Sequence, residues 1–131
     1  MTNSVRKGRN FEYRVRDLLM ESGFEVTKAA RSRGGNEGIT DLVAVKCGRV
    51  YYIQCKYNER DVKYFIRNNL SAIKRVHDVH KIVFMFAVRP KPKSHIIKFI
   101  ALKEFIDEDM KDKILEDFSN LVVEFREVMQ T

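Results

Sequence analysis

The stretch that decides the fold covers residues 39–57 and reads ITDLVAVKCGRVYYIQCKY. Two runs rich in Val, Ile, Leu and Tyr flank the Cys-Gly dipeptide at residues 47–48, a pattern typical of two β-strands joined by a two-residue turn. With the turn at this dipeptide, Asp41 faces Gln54 across the strand pair. Directly opposed residues have Cβ atoms about 5 Å apart on one face of the sheet.

The hairpin gathers polar groups at one end. Side chains alternate along a strand, so Lys56 lies on the same face as Gln54. A change of register by one residue would separate Asp41 from Gln54. Apolar residues occupy both faces of the two strands, which predicts strands that are covered on both sides, as in an α/β layer. Polar side chains at the ends of such strands are expected to pair with one another or to surround a bound ion.

The composition is that of one soluble domain with a basic charge. The chain has 131 residues, of which 44% are hydrophobic and 33% charged, so we expect a single domain over residues 1–131. No apolar run is long enough to span a membrane and the N-terminus lacks an apolar signal core, which predicts a cytoplasmic protein. The net charge of +7 suits a nucleic-acid partner and equally suits solubility.

Neither the cysteines nor the histidines predict a zinc site. Cys47 and Cys55 lie about 26 Å apart at about 3.3 Å per residue of strand, so we expect two reduced thiols rather than a disulfide. His77 and His80 have a helical spacing that can bind a metal. A zinc site needs three or four ligands, however, and isolated histidines at a helix end are usually surface residues.

Further helices and strands follow from the hydrophobic pattern. It predicts helices at residues 4–22, 58–79 and 103–118, and strands at residues 24–29, 82–88 and 96–102. The strand at residues 24–29 is expected at the edge of the sheet. Residues 121–125 fit either a terminal strand or a continued helix. The whole pattern predicts an α/β fold with a small mixed sheet flanked by helices.

Glu12 borders the buried face of the first predicted helix. It precedes Leu19 by seven residues, so at about 100° per residue the two side chains lie about 20° apart around the helix. The alternative is an ion pair between Glu12 and Arg16 on a solvated flank.

Two basic loops are candidate phosphate contacts. Residues 29–38 (AARSRGGNEG) form a predicted flexible loop in which Arg31 and Arg33 could contact phosphates and Gly34-Gly35 would let the backbone approach a ligand. The alternative is a solvent-exposed connection. The turn at residues 89–93 (RPKPK) is likewise either a second phosphate contact or a charged loop.

A helix glutamate, an Asp at the start of a hairpin and a Gln-x-Lys on the next strand resemble the PD-(D/E)XK nuclease arrangement. The resemblance is greatest to the archaeal Holliday junction resolvases. These proteins open with a Lys-Gly-x-x-x-Glu helix, as residues 7–12 (KGRNFE) do, and continue with a Gly-Phe-x-Val segment that residues 23–26 (GFEV) match. A basic residue and a small hydroxyl then precede Asp-Leu-Val-Ala, which Lys28, Ser32 and residues 41–44 (DLVA) resemble.

The chain departs from this pattern at two residues. The family usually has Glu where this chain has Gln54, and Arg where it has Lys28. The loop before Asp41 is also longer, and the match covers roughly residues 6–60. A Gln in the third motif and a Gly-rich stretch such as Gly34-Gly35 are similar to a neighbouring group, the Mrr-like restriction endonucleases. Either resemblance implies a restriction-endonuclease-like core, with a central mixed sheet flanked by helices.

The resemblance also implies a metal-dependent DNA endonuclease. The implied catalytic residues are Glu12, Asp41, Gln54 and Lys56. The implied cofactor is Mg²⁺, with Mn²⁺ as a substitute, held by Asp41, Gln54, the Cys55 backbone carbonyl and Glu12. Lys56 would orient the attacking water or stabilise charge on the phosphate. Replacing Glu by Gln at position 54 removes one negative charge, which predicts weaker metal binding.

DNA contacts are expected around the first helix and the loop that follows the edge strand. The candidates are Lys7, Arg9, Lys28, Arg31, Ser32 and Arg33, and Glu37 is a reserve acid. The implied substrate is a four-way junction, whose resolution needs two symmetric incisions and hence a homodimer. The C-terminal half, with its apolar strands at residues 82–88 and 96–102, is expected to form the dimerisation region.

Other functions stay open. One is a nuclease of the same fold that cuts branched, flap or modified duplex DNA, and another is a non-catalytic nucleic-acid-binding module with a decayed site. For the polar cluster alone, the alternative is a salt bridge between Asp41 and Lys56 with Gln54 as its hydrogen-bond partner.

Overall fold

A computed structural model describes residues 3–29, 40–89, 91 and 94–130, apart from the side chains of residues 3–9 and 130. Within these ranges, six strands form one sheet with the order β1-β2-β3-β4-β5-β6. The strands are β1 (Glu25–Lys28), β2 (Leu42–Lys46), β3 (Arg49–Lys56), β4 (Val83–Val88), β5 (Lys98–Leu102) and β6 (Val122–Arg126). The helices are α1 (Asn3–Glu21), α2 (Glu59–Asp78) and α3 (Glu108–Asp117).

The sheet is mixed. The β3–β4 and β5–β6 pairs are parallel and the other three pairs are antiparallel. The predicted α/β class, with a mixed sheet flanked by helices and an edge strand after the first helix, is confirmed. Residues 121–125, which fitted either a strand or a helix, contribute to β6.

The hairpin of β2 and β3 has the predicted register. Leu42 pairs with Ile53, and the pairing continues to the turn. Cys47 and Gly48 have φ values of 52° and 77°, the backbone of a type I′ turn, whose twist matches that of the two strands. Both cysteines are free thiols, as predicted.

One face of the sheet is covered by α1 and α3. The side chains that α1 buries here are at the predicted helical spacing, and the central strands supply the rest of this core. Its members include Phe11, Val15, Leu19, Leu42, Ala44, Tyr51, Ile53, Phe99, Ile114 and Phe118. The helix ends before Gly23, which has a φ of +95°, so the glycine acts as the predicted stop.

The other face is covered by α2. Asn58 caps this helix by accepting a hydrogen bond from the Asp61 backbone N–H at 2.9 Å. The helix is kinked at Asn69, whose backbone is not helical and whose Nδ2 donates to the Phe65 carbonyl. The buried residues under α2 form a second core, which includes Val62, Ile66, Ile73, Val76, Phe84, Phe86, Ile100 and Leu102.

The prediction about coverage holds in part, and the one about helix length was wrong. The apolar side chains on one face of the hairpin are buried, and those on the other face are partly buried except Val45, which is 36% exposed. The third helix was predicted at residues 103–118, but it starts at Glu108. Asp107 caps it by accepting from the Met110 N–H at 2.7 Å, and residues 103–105 form a separate 3₁₀ turn.

The strands of the expected dimerisation region are largely buried within the chain. All six side chains of β4 and four of the five in β5 are buried, with a helix layer on each side of the sheet. Elsewhere in the C-terminal half, Ile96 is 62% and Val122 46% exposed.

A buried carboxylate fastens the hairpin to the end of α3. Asp117 is 1% exposed and accepts two hydrogen bonds from the Arg49 guanidinium at 2.7 Å and one from the Tyr51 hydroxyl at 2.5 Å. Burial works to raise the pKa of Asp117, but the hydrogen bonds from Arg49 and Tyr51 outweigh it and lower that pKa. Lys46 also joins the hairpin to this region, because its Nζ donates hydrogen bonds to the backbone carbonyls of Ser22 and Asp117. We call Arg49, Tyr51 and Asp117 the turn clamp.

Among the helices that the structure describes, none has the length and apolar character needed to cross a bilayer.

Candidate active site

Asp41 is held against β3 at the end of the hairpin opposite the turn. It lies one residue before β2, and its backbone N–H donates to the Ile53 carbonyl at 3.2 Å. Its side-chain Oδ2 accepts a hydrogen bond from the Cys55 backbone N–H at 2.9 Å. The carboxylate is therefore fixed beside the residue that separates Gln54 from Lys56, as the register predicts.

Thr40 secures the start of this arrangement. Its hydroxyl lies within hydrogen-bonding distance of two backbone carbonyls, that of Leu42 at 2.6 Å and that of Ile53 at 3.2 Å. Because these carbonyls belong to opposite strands, the threonine holds β2 and β3 together where the ladder ends. The sequence analysis did not single out Thr40, although its place directly before Asp41 was a usable signal.

Gln54 has a buried side-chain oxygen without a hydrogen-bond partner among the described residues. The residue is 9% exposed, and its Oε1 has no hydrogen-bond partner within the part of the chain that the structure describes. A buried carbonyl oxygen without a partner is costly and rare. This observation argues against Gln54 as the hydrogen-bond partner of an Asp41–Lys56 salt bridge. It fits the coordination of a hard cation, which takes oxygen ligands.

Lys56 lies on the α2 side of the sheet. Its Nζ is 4.7 Å from the centroid of the Phe65 ring, a cation–π distance, and the side chain is partly buried. Strand alternation places Gln54 on the same side. Phe65 was predicted only as part of the apolar face of α2, so its contact with Lys56 was missed.

Glu12 approaches from α1. It is 8% exposed, and its carboxylate forms an ion pair with Lys28 at 3.5 Å. Arg16 pairs instead with Asp17 at 3.0 Å, so the alternative of a solvated Glu12–Arg16 pair was wrong. The prediction that Glu12 borders the buried face of the helix is confirmed.

The charges of both acids influence the Cys55 thiol. Burial raises the pKa of Cys55, and the negative charges of Asp41 and Glu12 raise it further, while Lys56 opposes them. Both carboxylates therefore act on one side chain at the end of β3. Asp41, Gln54 and Lys56 therefore lie at the same end of the hairpin, and Glu12 approaches from α1.

The predicted DNA-binding residues are only partly described. Lys28 is half-exposed, and besides its ion pair it lies 5.7 Å from the Tyr13 ring centroid. Lys7 and Arg9 belong to α1, but their side chains are outside the described part of the structure. Arg31, Ser32, Arg33, Gly34-Gly35 and Glu37 all lie outside the described residues.

Two further residues flank the site where β3 and β4 end. The Arg89 N–H donates to the Lys56 carbonyl at 2.9 Å, and its guanidinium lies 4.8 Å from the Tyr57 ring centroid. The parallel pairing of β3 with β4 places the residues after each strand side by side. The sequence analysis treated Arg89 only as part of a basic turn and did not consider Tyr57, because that strand pairing was not known.

The histidines do not form a metal site. His77 is buried, contrary to the expectation of a surface residue, and its Nε2 accepts a hydrogen bond from the Phe84 N–H at 3.3 Å. His80 is exposed, as expected. Within the described ranges, no group of three or more His, Cys, Asp or Glu side chains is arranged to hold a metal. A cation at the candidate site would rely on two acids, the Gln54 amide and substrate oxygens, which is a set that Mg²⁺ accepts.

Comparison with known proteins decides the family. The sequence model of one family, described as archaeal Holliday junction resolvase (Hjc), matches residues 3–130. The chain belongs to the archaeal Holliday junction resolvase family. The resemblance seen in residues 6–60 thus extends over nearly the whole chain.

Named relatives agree with the family. A crossover junction endodeoxyribonuclease of Sulfolobus islandicus rod-shaped virus 1 is 30% identical over 60 residues, which are 46% of this chain and 50% of that protein. The crossover junction endodeoxyribonuclease Hjc of Methanocaldococcus jannaschii is 30% identical over 73 residues, 56% of this chain and 51% of the relative. The aligned segments thus span about half the length of these Hjc-family relatives.

A solved structure of this family is also similar. The Hjc Holliday junction resolvase of Archaeoglobus fulgidus has 17% sequence identity and a TM-score of 0.47, with 72% of each chain covered.

Proposed function

We propose that this chain is a metal-dependent DNA endonuclease that resolves four-way junctions. The observation that carries the proposal is the bond from the Cys55 N–H to Asp41, which fixes a carboxylate against the Gln-x-Lys segment in a chain of the resolvase family. The relatives named above as crossover junction endodeoxyribonucleases support the same activity.

The residues fit a Mg²⁺ or Mn²⁺ ion. Asp41 and Glu12 would supply carboxylate oxygens, the Gln54 Oε1, which has no partner among the described residues, would supply a neutral one, and the Cys55 carbonyl would be a further donor. When bound, such an ion polarises a phosphate and acidifies a water molecule. Because Gln54 is neutral, the site carries one negative charge fewer than a Glu-x-Lys site.

The protein residues have separate tasks. Lys56, whose ammonium is partly shielded by Phe65, would hold the attacking water or stabilise the charge that develops on the phosphate. The hydrogen bonds of Asp41 and Thr40 keep the strand ends from separating, so the oxygens stay in place without reorganisation during the reaction. The Cys55 thiol, with its raised pKa, stays protonated and adds no charge.

Resolution of a junction requires cuts at two symmetry-related positions. We therefore propose that the active form is a homodimer with an isologous interface. The buried side chains of β4 and β5 would contribute little to such an interface.

Substrate choice is the test of this proposal. The protein is incubated with Mg²⁺ and either a four-way junction with a fixed branch point or the linear duplexes that form its arms. We expect paired, symmetric incisions near the branch point and little cleavage of the duplexes. Faster cleavage of the linear duplexes would overturn the resolvase assignment and favour a duplex nuclease of the same fold.

A further inference from the structure

The outward face of α2 carries a row of positive charges. The five cations are Arg60, Lys63, Arg67, Lys74 and Arg75, and all are exposed. On the opposite side of the same helix, Val62, Ile66, Ile73 and Val76 are buried against the sheet. We call the five cations the α2 basic face.

Among the described residues, these charges have no carboxylate partner. None of the five forms an ion pair there. Some cations on other elements do, as Lys98 does with Glu59 and Glu124, and Lys113 with Asp109.

The arrangement also weakens the helix. Lys63 lies three residues after Arg60 and four residues before Arg67, so like charges are neighbours on the helix surface. Neighbouring like charges at these spacings destabilise a helix. A bound partner with negative charge would offset this repulsion.

The residues between the cations suit a phosphate backbone. Tyr64 is 67% exposed, and Asn68 and Ser71 are also exposed. Hydroxyl and amide side chains of this kind are common partners of phosphate oxygens, and contacts of this kind do not depend on sequence. From Arg60 to Arg75 the helix, which is kinked at Asn69, spans at most about 22 Å at 1.5 Å per residue, the length of about six base pairs of duplex.

The exposed charges of α3 have the opposite sign to the α2 basic face. This helix, which packs on the other side of the sheet beside α1, exposes Glu108, Asp109, Asp112 and Glu116. A nucleic acid would be repelled from α3 and attracted to α2.

The basic face starts beside the candidate active site. The helix cap Asn58 follows Lys56 by two residues, and the Lys56 ammonium rests on Phe65 of the same helix. A duplex lying along α2 would therefore lead toward the Gln54–Lys56 segment.

From these observations we infer that the α2 basic face binds the phosphate backbone of a duplex arm as it enters the active site, an inference that rests on the proposed function. It names DNA contacts beyond α1 and the loop that follows β1. The face holds the arm through charge and shape rather than through base edges.

The test compares two triple variants of equal charge. Lys63→Gln/Arg67→Gln/Lys74→Gln removes three charges from the α2 basic face. Lys103→Gln/Lys111→Gln/Lys113→Gln removes three charges from the 3₁₀ turn and α3. Binding to a labelled four-way junction is measured in EDTA across a range of salt concentrations, so that no cleavage is needed.

We expect the α2 variant to bind more weakly and to lower the slope of log K against log salt by about 2 to 3, since each phosphate contact contributes about 0.9. The α3-side variant should keep the wild-type slope. An unchanged slope in the α2 variant, or an equal loss in both variants, would overturn the inference. A changed oligomeric state with an unchanged slope would assign the face to protein contacts instead, and would equally overturn it.

The experiment distinguishes failure of the binding face from failure of the proposed endonuclease function. If the wild-type protein cuts no junction but the slopes differ as expected, the endonuclease assignment fails and the binding face stands. If the protein resolves junctions but the slopes are equal, the endonuclease assignment stands and the binding face fails.

Discussion

Among single residues, Gln54 distinguishes this site most clearly from a Glu-x-Lys site. In the proposed metal site its Oε1, which has no partner among the described residues, would be a neutral ligand where an acid would add a negative charge. We predict that Gln54→Glu lowers the metal concentration for half-maximal cleavage by about tenfold, which is about 1.4 kcal/mol of metal binding. The measurement is a Mg²⁺ or Mn²⁺ titration of junction cleavage.

The matched control for this titration is Asn120→Asp. Asn120 is exposed in the turn after α3, so the variant gains the same charge away from the site. An equal shift in both variants would attribute the effect to net charge, and an unmoved midpoint in Gln54→Glu would show that Gln54 is not a ligand.

The buried His77 is expected to make the free energy of unfolding decrease at low pH. Burial lowers the pKa of His77 from 6.5 to about 4, and its Nε2 already accepts the Phe84 N–H. The folded state keeps the imidazole neutral while the unfolded chain takes up a proton, so stability is full above pH 6.5 and is lost as the pH falls toward 4. The difference predicts a loss of about 3 kcal/mol across this window.

Urea unfolding at pH 7 and pH 4.5 checks the size of this loss. His77→Gln keeps an acceptor but cannot take up the proton, so its free energy of unfolding should depend less on pH. The exposed His80 gives the control His80→Gln, which should behave as the wild type does. If His77→Gln loses as much stability on acidification as the wild type, protonation of His77 is not the cause.

The sequence predicted some of these residues better than others. The relative placement of Asp41, Gln54 and Lys56 was predicted correctly. It follows from the register that a two-residue turn imposes, since strand alternation has a fixed period of two. The burial of His77 was missed because its partner, the Phe84 N–H, belongs to a strand and is available only once α2 packs on β4. The contact of Lys56 with Phe65 was missed for the same reason.

At the scale of elements, the hairpin turn can be tested without touching the site. Both turn residues have positive φ, and no other atom lies within 4 Å of where a Gly48 side chain would begin. Gly48→Ala should therefore lose about 1 kcal/mol from backbone strain alone. Cys47→Asn should gain about 0.5 kcal/mol, since Asn tolerates this backbone better. Thermal or urea unfolding measures both, and a gain in Gly48→Ala would contradict the turn type.

The turn clamp is expected to contribute more to stability than the turn itself. Removing the negative charge with Asp117→Asn leaves the Arg49 guanidinium without its buried partner and should lower the free energy of unfolding by about 3 kcal/mol. Asp112→Asn, on the exposed side of the same helix, should change it by no more than about 0.5 kcal/mol. Equal effects in urea unfolding would show that the clamp is not a stabilising unit.

Most helices and strands could be predicted from local sequence patterns. The features that were missed depend on contacts between residues distant in the sequence. Hydrophobic periodicity placed α1, α2 and the strands β1 to β5 to within two residues. The third helix was predicted too long because Asp107 resembles an ordinary helix residue until its side chain is seen to cap Met110. The turn clamp joins residues 68 positions apart, and no local pattern connects Arg49 with Asp117.

For the molecule as a whole, the proposal requires two copies acting together. Symmetric cuts in the two strands of a junction need two sites in fixed relation, so we predict a stable dimer in solution. Sedimentation analysis at micromolar concentration should give the mass of two chains, about twice 15.4 kDa. A monomer that cuts only one strand of each junction would contradict the paired mechanism.

The measurement that tests the central claim most directly compares wild-type protein with Asp41→Asn. The asparagine keeps an oxygen that can accept the Cys55 N–H, so the strand ends stay joined while the charge is lost. With labelled junction and Mg²⁺, we predict paired incisions by the wild type and at least about a hundredfold slower cleavage by the variant. Junction binding in EDTA should be retained by both proteins. Cleavage by Asp41→Asn at the wild-type rate would show that the site described here does not perform the reaction.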